Sequence, residues 1–242
     1  MGIKKLPINL PSSLQNLYCQ KNQISDLPTN LPASLRLLYC YDNQISELPT
    51  NLPVSLQLLY CHSNKITKLP TNLPTSLQYF SCSTNQITEL PINLPPSLVS
   101  LHCYNNQISE LPINLPDSLL TLNCYNNQII KLPINLPSSL EILNCYNNQI
   151  TKLPGIFPVT LVRLSCSGNS YLHIPKKYAK PFGLIETPDY NKKADYIQQI
   201  WRRNKYKLTM IKMIQNNDNM LSNSFKNYGD LNIINLIIQF IY

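Results

Sequence analysis

Glycine is scarce in this chain, with five in 242 residues against twenty prolines. Tight turns ordinarily use glycine for left-handed backbone, so the turning here falls to proline and to small polar residues. Charge is scarce as well, at 13% of residues, while 43% are hydrophobic. That composition supports a buried core. No apolar run approaches the ~20 residues of a membrane-spanning helix. The best stretch, Leu231 to Ile241, is interrupted by Asn232, Asn235 and Gln239. No Cys-x-x-Cys occurs, which removes the commonest zinc spacing. The start, Met1-Gly2-Ile3-Lys4-Lys5, lacks the apolar segment of a secretory signal. Leu6 also stands where N-myristoylation requires serine or threonine. These features together point to a reducing, cytoplasmic setting.

What is present is repetition. The eight cysteines fall at Cys19, Cys40, Cys61, Cys82, Cys103, Cys124, Cys145 and Cys166, a constant step of 21 residues. Three residues after each stands an asparagine, from Asn22 to Asn169. Between them runs Leu14-x-x-Leu17-x-Cys19-x-x-Asn22-x-Ile24-x-x-Leu27, followed by a proline segment such as Leu27-Pro28-Thr29-Asn30-Leu31-Pro32. A fixed short period with this apolar spacing is the signature of a leucine-rich repeat solenoid. The expected fold has parallel strands pairing along a concave sheet and a polyproline-II, extended convex wall. Two prolines four residues apart forbid a regular helix there. The solenoid is placed at residues 1–175, with a basic helical region at 176–242 acting as a C-terminal cap.

Each cysteine occupies an apolar slot of the repeat. Neighbouring copies on parallel strands would lie ~4.8 Å apart at the α-carbon, but their side chains run parallel and do not point at one another. A row of reduced thiols packed as small apolar groups is expected. The repeated asparagine has two donors and an acceptor, enough to satisfy its own turn and that of the next repeat. The last copy departs from the pattern, with Gly155, Phe157 and Tyr171 at substituted positions. That is the behaviour of a terminal repeat meeting a cap. At the other end, the strand near Asn16 to Cys19 reads as an open edge that invites edge-to-edge self-association.

The tail carries most of the basic excess: eleven Lys/Arg against five Asp/Glu after residue 175, compared with nine against seven before it. Thr187-Pro188 reads as a helix start. Ile197, Ile200, Trp201, Leu208, Ile211 and Ile214 then recur at roughly helical spacing.

The motif Ser34-Leu35-Arg36-Leu37-Leu38-Tyr39-Cys40-Tyr41-Asp42-Asn43-Gln44-Ile45-Ser46-Glu47-Leu48-Pro49 resembles the short leucine-rich repeats of bacterial effector proteins. It is also similar to repeat proteins of large DNA viruses of amoebae, a likeness that would imply host-cell cytosol. Some effectors of that kind add a ubiquitin-ligase domain with a nucleophilic cysteine. Here no cysteine follows Cys166, and the stretch from 176 to 242 is too short for such a domain.

The positions flanking each cysteine project from the sheet's concave side. Seven of them are tyrosine: Tyr18, Tyr39, Tyr41, Tyr60, Tyr104, Tyr125 and Tyr146. Tyrosine offers large contact area at small entropic cost, and these residues are the candidate partner-binding surface. The competing reading is that repeat duplication copied a strand-favouring residue. His62, His102 and His173 have no acidic partner at a recognisable spacing, so no catalytic, metal or cofactor site is assigned. A non-enzymatic protein-interaction scaffold is the leading expectation. The alternatives are the recognition module of a ubiquitin-ligase-like effector, and nucleic-acid binding through the basic tail.

Overall fold

The computed structural model describes residues 2–170 and Leu172. The proposed C-terminal cap, the helical tail and the boundary at residue 175 lie outside the described residues.

Eight three-residue strands recur once per repeat: β1 (Asn16–Tyr18), β2 (Leu37–Tyr39), β3 (Leu58–Tyr60), β4 (Tyr79–Ser81), β5 (Ser100–His102), β6 (Thr121–Asn123), β7 (Ile142–Asn144) and β8 (Arg163–Ser165). They form one sheet in sequence order, and every pairing is parallel. The register never slips. Leu17 lies opposite Leu38, which lies opposite Leu59, and that one opposite Phe80. This is the parallel sheet of a solenoid, each coil one repeat.

The middle residue of each strand points inward and is buried, from Leu17 to Leu164. All eight cysteines are buried beneath the sheet. Leu35 and Ile45, with their equivalents in the inner coils, complete a core at 0% exposure. Because every coil contributes the same side chains, the core is a set of apolar columns running along the stack. Between the strands the proline segments run without regular helix or strand, apart from an isolated bridge between Glu47 and Lys68.

The asparagine column holds the coils together, but in the opposite direction from the sequence expectation. Asn106 Nδ2 donates to the carbonyls of Cys103 and Tyr104 in its own coil and of Cys82 in the preceding one. Its Oδ1 accepts from the amide of Ile87, also in the preceding coil. The same set recurs at Asn43, Asn64, Asn85, Asn127 and Asn148. The reach is backward because the chain turns away from the strand into the space beside the coil already laid down.

Two further recurrent devices were not read from the sequence. Ser34, Ser55, Ser76, Ser97, Ser118, Ser139 and Thr160 each donate a hydroxyl to two carbonyls of the preceding coil. They sit in a tight turn closed by bonds such as Leu35 N–H to Pro32 C=O at 3.0 Å. The second device lies two residues after each cysteine, where the backbone is left-handed: Lys21, Asp42, Ser63, Thr84, Asn105, Asn126 and Asn147 have φ between 49° and 56°. Gly168 continues the column at φ 68°. Non-glycine residues enter this region at a cost, which asparagine and aspartate bear most easily.

Candidate functional site

Strand alternation sets which side chains reach the outer face of the sheet. With the central residue buried, the first and third residues of each strand face outward, as does the residue following cysteine. None of these outward residues is acidic, and Arg163 is the one with a fixed charge. The face is therefore built of rings, hydroxyls, amides and a few aliphatic side chains, Leu37, Leu58 and Ile142.

Six of the predicted tyrosines are half-exposed, and Tyr18 is 59% exposed. The register brings them together in two sets. In the first, Tyr18 stacks on Tyr39 at 5.0 Å between ring centroids. Tyr39 meets Tyr41 and Tyr60 edge-on, at 6.4 and 5.1 Å. In the second, Tyr104, Tyr125 and Tyr146 form a parallel stack with centroids 4.4 Å apart and planes within 8°. Pairs of this kind contribute roughly 0.5–1.5 kcal/mol beyond area burial. Burial pushes the middle hydroxyl, Tyr125, up to about 12, with the neighbouring Tyr104 and Tyr146 adding to the shift. Tyr60 is raised by the same causes, burial first and then Tyr39 and Tyr79.

Histidines, set aside in the sequence reading, join both sets. His62 stacks on Tyr41 at 4.4 Å and 9°, and His102 contacts Tyr104 edge-on at 6.5 Å. His102 also lies in a polar chain across three strands. Its Nε2 is 2.9 Å from Ser100 Oγ and its Nδ1 is 2.8 Å from the amide nitrogen of Asn123, whose Oδ1 accepts from Asn144 at 2.6 Å. Burial lowers both imidazole pKa values below the ordinary 6.5. Asp42 partly offsets this at His62, while His62 lowers His102 further. The signal for their inclusion was positional, since both occupy columns that carry tyrosine in other coils.

Between the sets lies β4, where both columns carry serine. Among the described residues no ring contact crosses this break. Ser81 is 8% exposed and Ser83 1%. Among the described residues, no group of three or more His, Cys, Asp or Glu is placed to hold a metal ion, and no helix is long and apolar enough to cross a membrane.

Residues 139–159 match the family model described as Leucine Rich Repeat. Comparison with curated proteins gives no match. YopM from Yersinia enterocolitica is similar in structure, with a TM-score of 0.57 and 35% identity over 72% of this chain and 41% of that one. A leucine-rich-repeat protein of Leptospira interrogans gives 0.60 and 27%, over 70% and 44%. YopM from Yersinia pestis, a leucine-rich effector protein, gives 0.50 and 31%, over 69% and 58%. The fold is a leucine-rich-repeat solenoid. The chain spans about two-fifths to three-fifths of the length of these relatives. This leucine-rich-repeat solenoid's outer face carries the pair of ring sets with the serine break between them.

Proposed function

We propose that the solenoid is a non-enzymatic scaffold that binds a protein partner on its concave sheet face. The observation that carries this reading is the organisation of Tyr18, Tyr39, Tyr41, Tyr60, Tyr104, Tyr125 and Tyr146 into two contiguous ring sets on one exposed face. Leucine-rich-repeat solenoids are commonly interaction scaffolds, and their extended sheet presents many side chains on rigid backbone at once. Rigid aromatic platforms suit protein recognition because little side-chain entropy is lost on contact. The proposed compartment is the reducing cytosol, in keeping with thiols packed as core.

The test is capture of partners from cytosol with the full chain and with the variants Tyr39→Ala and Tyr125→Ala. Anchor tyrosines commonly cost ~2 kcal/mol or more when truncated, about thirtyfold in Kd. A partner held equally by both variants and the parent would place its site elsewhere. A second reading, recognition module of an effector, draws on the description of the Yersinia pestis relative as a leucine-rich effector protein. It shares the same binding face.

A further inference from the structure

The cysteine column lies beneath the sheet, on the side away from the ring sets, and the concave-face reading gives it no task beyond filling space. All eight thiols are buried, six of them at 0% exposure, with Cys19 at 4% and Cys166 at 2% at the two ends of the row. Each cysteine follows directly on its strand and continues the ladder. The Cys19 amide donates to the Tyr39 carbonyl, Cys40 to Tyr60 and Cys61 to Ser81, each at 2.9 Å. Neighbouring cysteines therefore repeat at the strand spacing of ~4.8 Å. Side chains in register stand perpendicular to the sheet, so the sulfurs form a row with the same step. The thiols sense one another along it. Burial is the main cause of their raised pKa values, but Cys40 and Cys82 add to the rise at Cys61, as Cys124 and Cys166 do at Cys145.

That step is too long for a sulfur–sulfur bond of ~2.05 Å. It suits a different bridge. With metal–thiolate bonds of ~2.3 Å, an ion midway on a straight sulfur–metal–sulfur line needs its two sulfurs ~4.6 Å apart. The Cβ–Sγ bonds run across the row and the ion would lie along it, so the angle at each sulfur is close to the right angle that a sulfur lone pair favours. No third soft donor stands by. The columns beside the cysteines are largely leucine and isoleucine, and among the described residues no three metal-ligating side chains converge. Zinc, which takes four ligands, is therefore a poor fit.

We propose that neighbouring cysteines of the column bind a soft d10 cation of the Cu(I), Ag(I) and Hg(II) class in linear two-sulfur coordination. Soft sulfur ligands select such ions. A sulfur bonded on one side of the row has no lone pair directed to the opposite side, so ions occupy alternate gaps and the eight thiols hold at most four. The apolar core favours complexes without net charge. Hg(II) accordingly displaces both thiol protons, while Cu(I) or Ag(I) displaces one and leaves the second sulfur a neutral thiol; no electrons are transferred. Cu(I) is the member of the class that a reducing compartment maintains. Cys19, the most exposed thiol and next to the edge strand β1, makes Cys19 and Cys40 the entry pair.

The experiment titrates the full, reduced chain with Hg(II) acetate and, in parallel, with Ag(I) nitrate. Bound metal is counted after gel filtration, and X-ray absorption reads the donors. The expected result is saturation at no more than four ions, with two sulfur neighbours per ion, at about 2.3 Å around mercury, and an unchanged circular-dichroism signal from the sheet. Two double variants, each with six thiols, separate the row from the mere number of thiols. Cys145→Ala with Cys166→Ala leaves an unbroken row of six and should hold three ions. Cys82→Ala with Cys124→Ala leaves rows of three, one and two and should hold two. No uptake, one ion per thiol, a third donor around the metal, or equal capacity in the two variants overturns the proposal, as does uptake that coincides with loss of the sheet signal. The parent titration decides by itself if a variant folds poorly.

Discussion

Asn105 and Asn106 are adjacent and chemically identical, yet they do different work. Asn106 joins two coils through four hydrogen bonds. Asn106→Ala would strand the Ile87 amide and several carbonyls, at roughly 1–3 kcal/mol for each buried group left unpaired. Asn105 is exposed, with φ 52°, and accepts a bond from Asn126 at 2.7 Å. Asn105→Ala should cost about 1 kcal/mol, mostly backbone strain, and Asn105→Gly should cost less than Asn105→Ala. Denaturant melts of the three variants check the order, and equal losses at 105 and 106 would refute the assigned roles. The inward asparagine was legible because an amide recurring once in every repeat has few other uses. The left-handed turn was not, since Lys21, Asp42, Ser63 and Thr84 share no side-chain chemistry; what they share is a backbone angle.

The cysteine column makes a prediction of its own. Burial raises the thiol pKa values, to about 11 at Cys19 and about 12 at Cys82, with Cys40, Cys61, Cys103, Cys124 and Cys145 also pushed well up. A folded-state pKa above the unfolded one stabilises fully below the unfolded value, about 9, and that contribution is lost as pH rises toward the folded one. Each such thiol adds up to about 1.4 kcal/mol per pH unit to the slope. Stability should therefore fall steeply above pH 9, and Cys103→Ala should flatten the fall while costing packing at neutral pH. Native thiols should react slowly with alkylating reagents, Cys19 first; rapid labelling of all of them would contradict their burial.

At the scale of the element, one coil is a strand, a left-handed turn, a proline segment and a serine-anchored turn. The strand and its inward leucines were legible from apolar spacing, as was the absence of a helix between the prolines. The serine anchors were not singled out, although Ser34 to Ser139 recur as regularly as the cysteines. A lone hydroxyl before a strand reads as solubility until its partners are known to lie one coil away. Ser118→Ala should cost roughly 1–3 kcal/mol by leaving the Pro96 and Leu98 carbonyls short of a partner. The proline segment carries the opposite kind of residue: Ile92, Ile113 and Ile134 are each about 84–85% exposed in consecutive coils. Thr29, Thr50 and Thr71 hold the same position in earlier coils. Ile113→Thr should thus leave the melting temperature nearly unchanged while improving solubility, as sedimentation of concentrated protein would show.

The two ring sets were legible as columns of tyrosine, and so was their division, because β4 carries serine in both columns between them. His62 and His102 were passed over because they lack an acidic neighbour in the chain. Their significance comes from the neighbours that register supplies.

Over the whole molecule, stability is a sum of coils and of the seams between them. Removing one complete repeat, residues 106–126, rejoins Asn105 to Asn127 in unbroken phase. The shortened protein should fold, with a denaturant m-value lower by about an eighth of the solenoid's share. A deletion shorter by a single position should abolish cooperative unfolding, because every later side chain would leave its column.

The side chains that tie the coils together all face one way. Each asparagine and each serine reaches back to the coil before it, so the coil most recently made is the one still waiting for partners. A chain emerging from the ribosome meets that need in order. Every repeat delivered finishes the coil already outside, so on the growing side the newest coil alone is unfinished, while β1 stays the fixed edge at the other end. Growth itself seals each seam in turn.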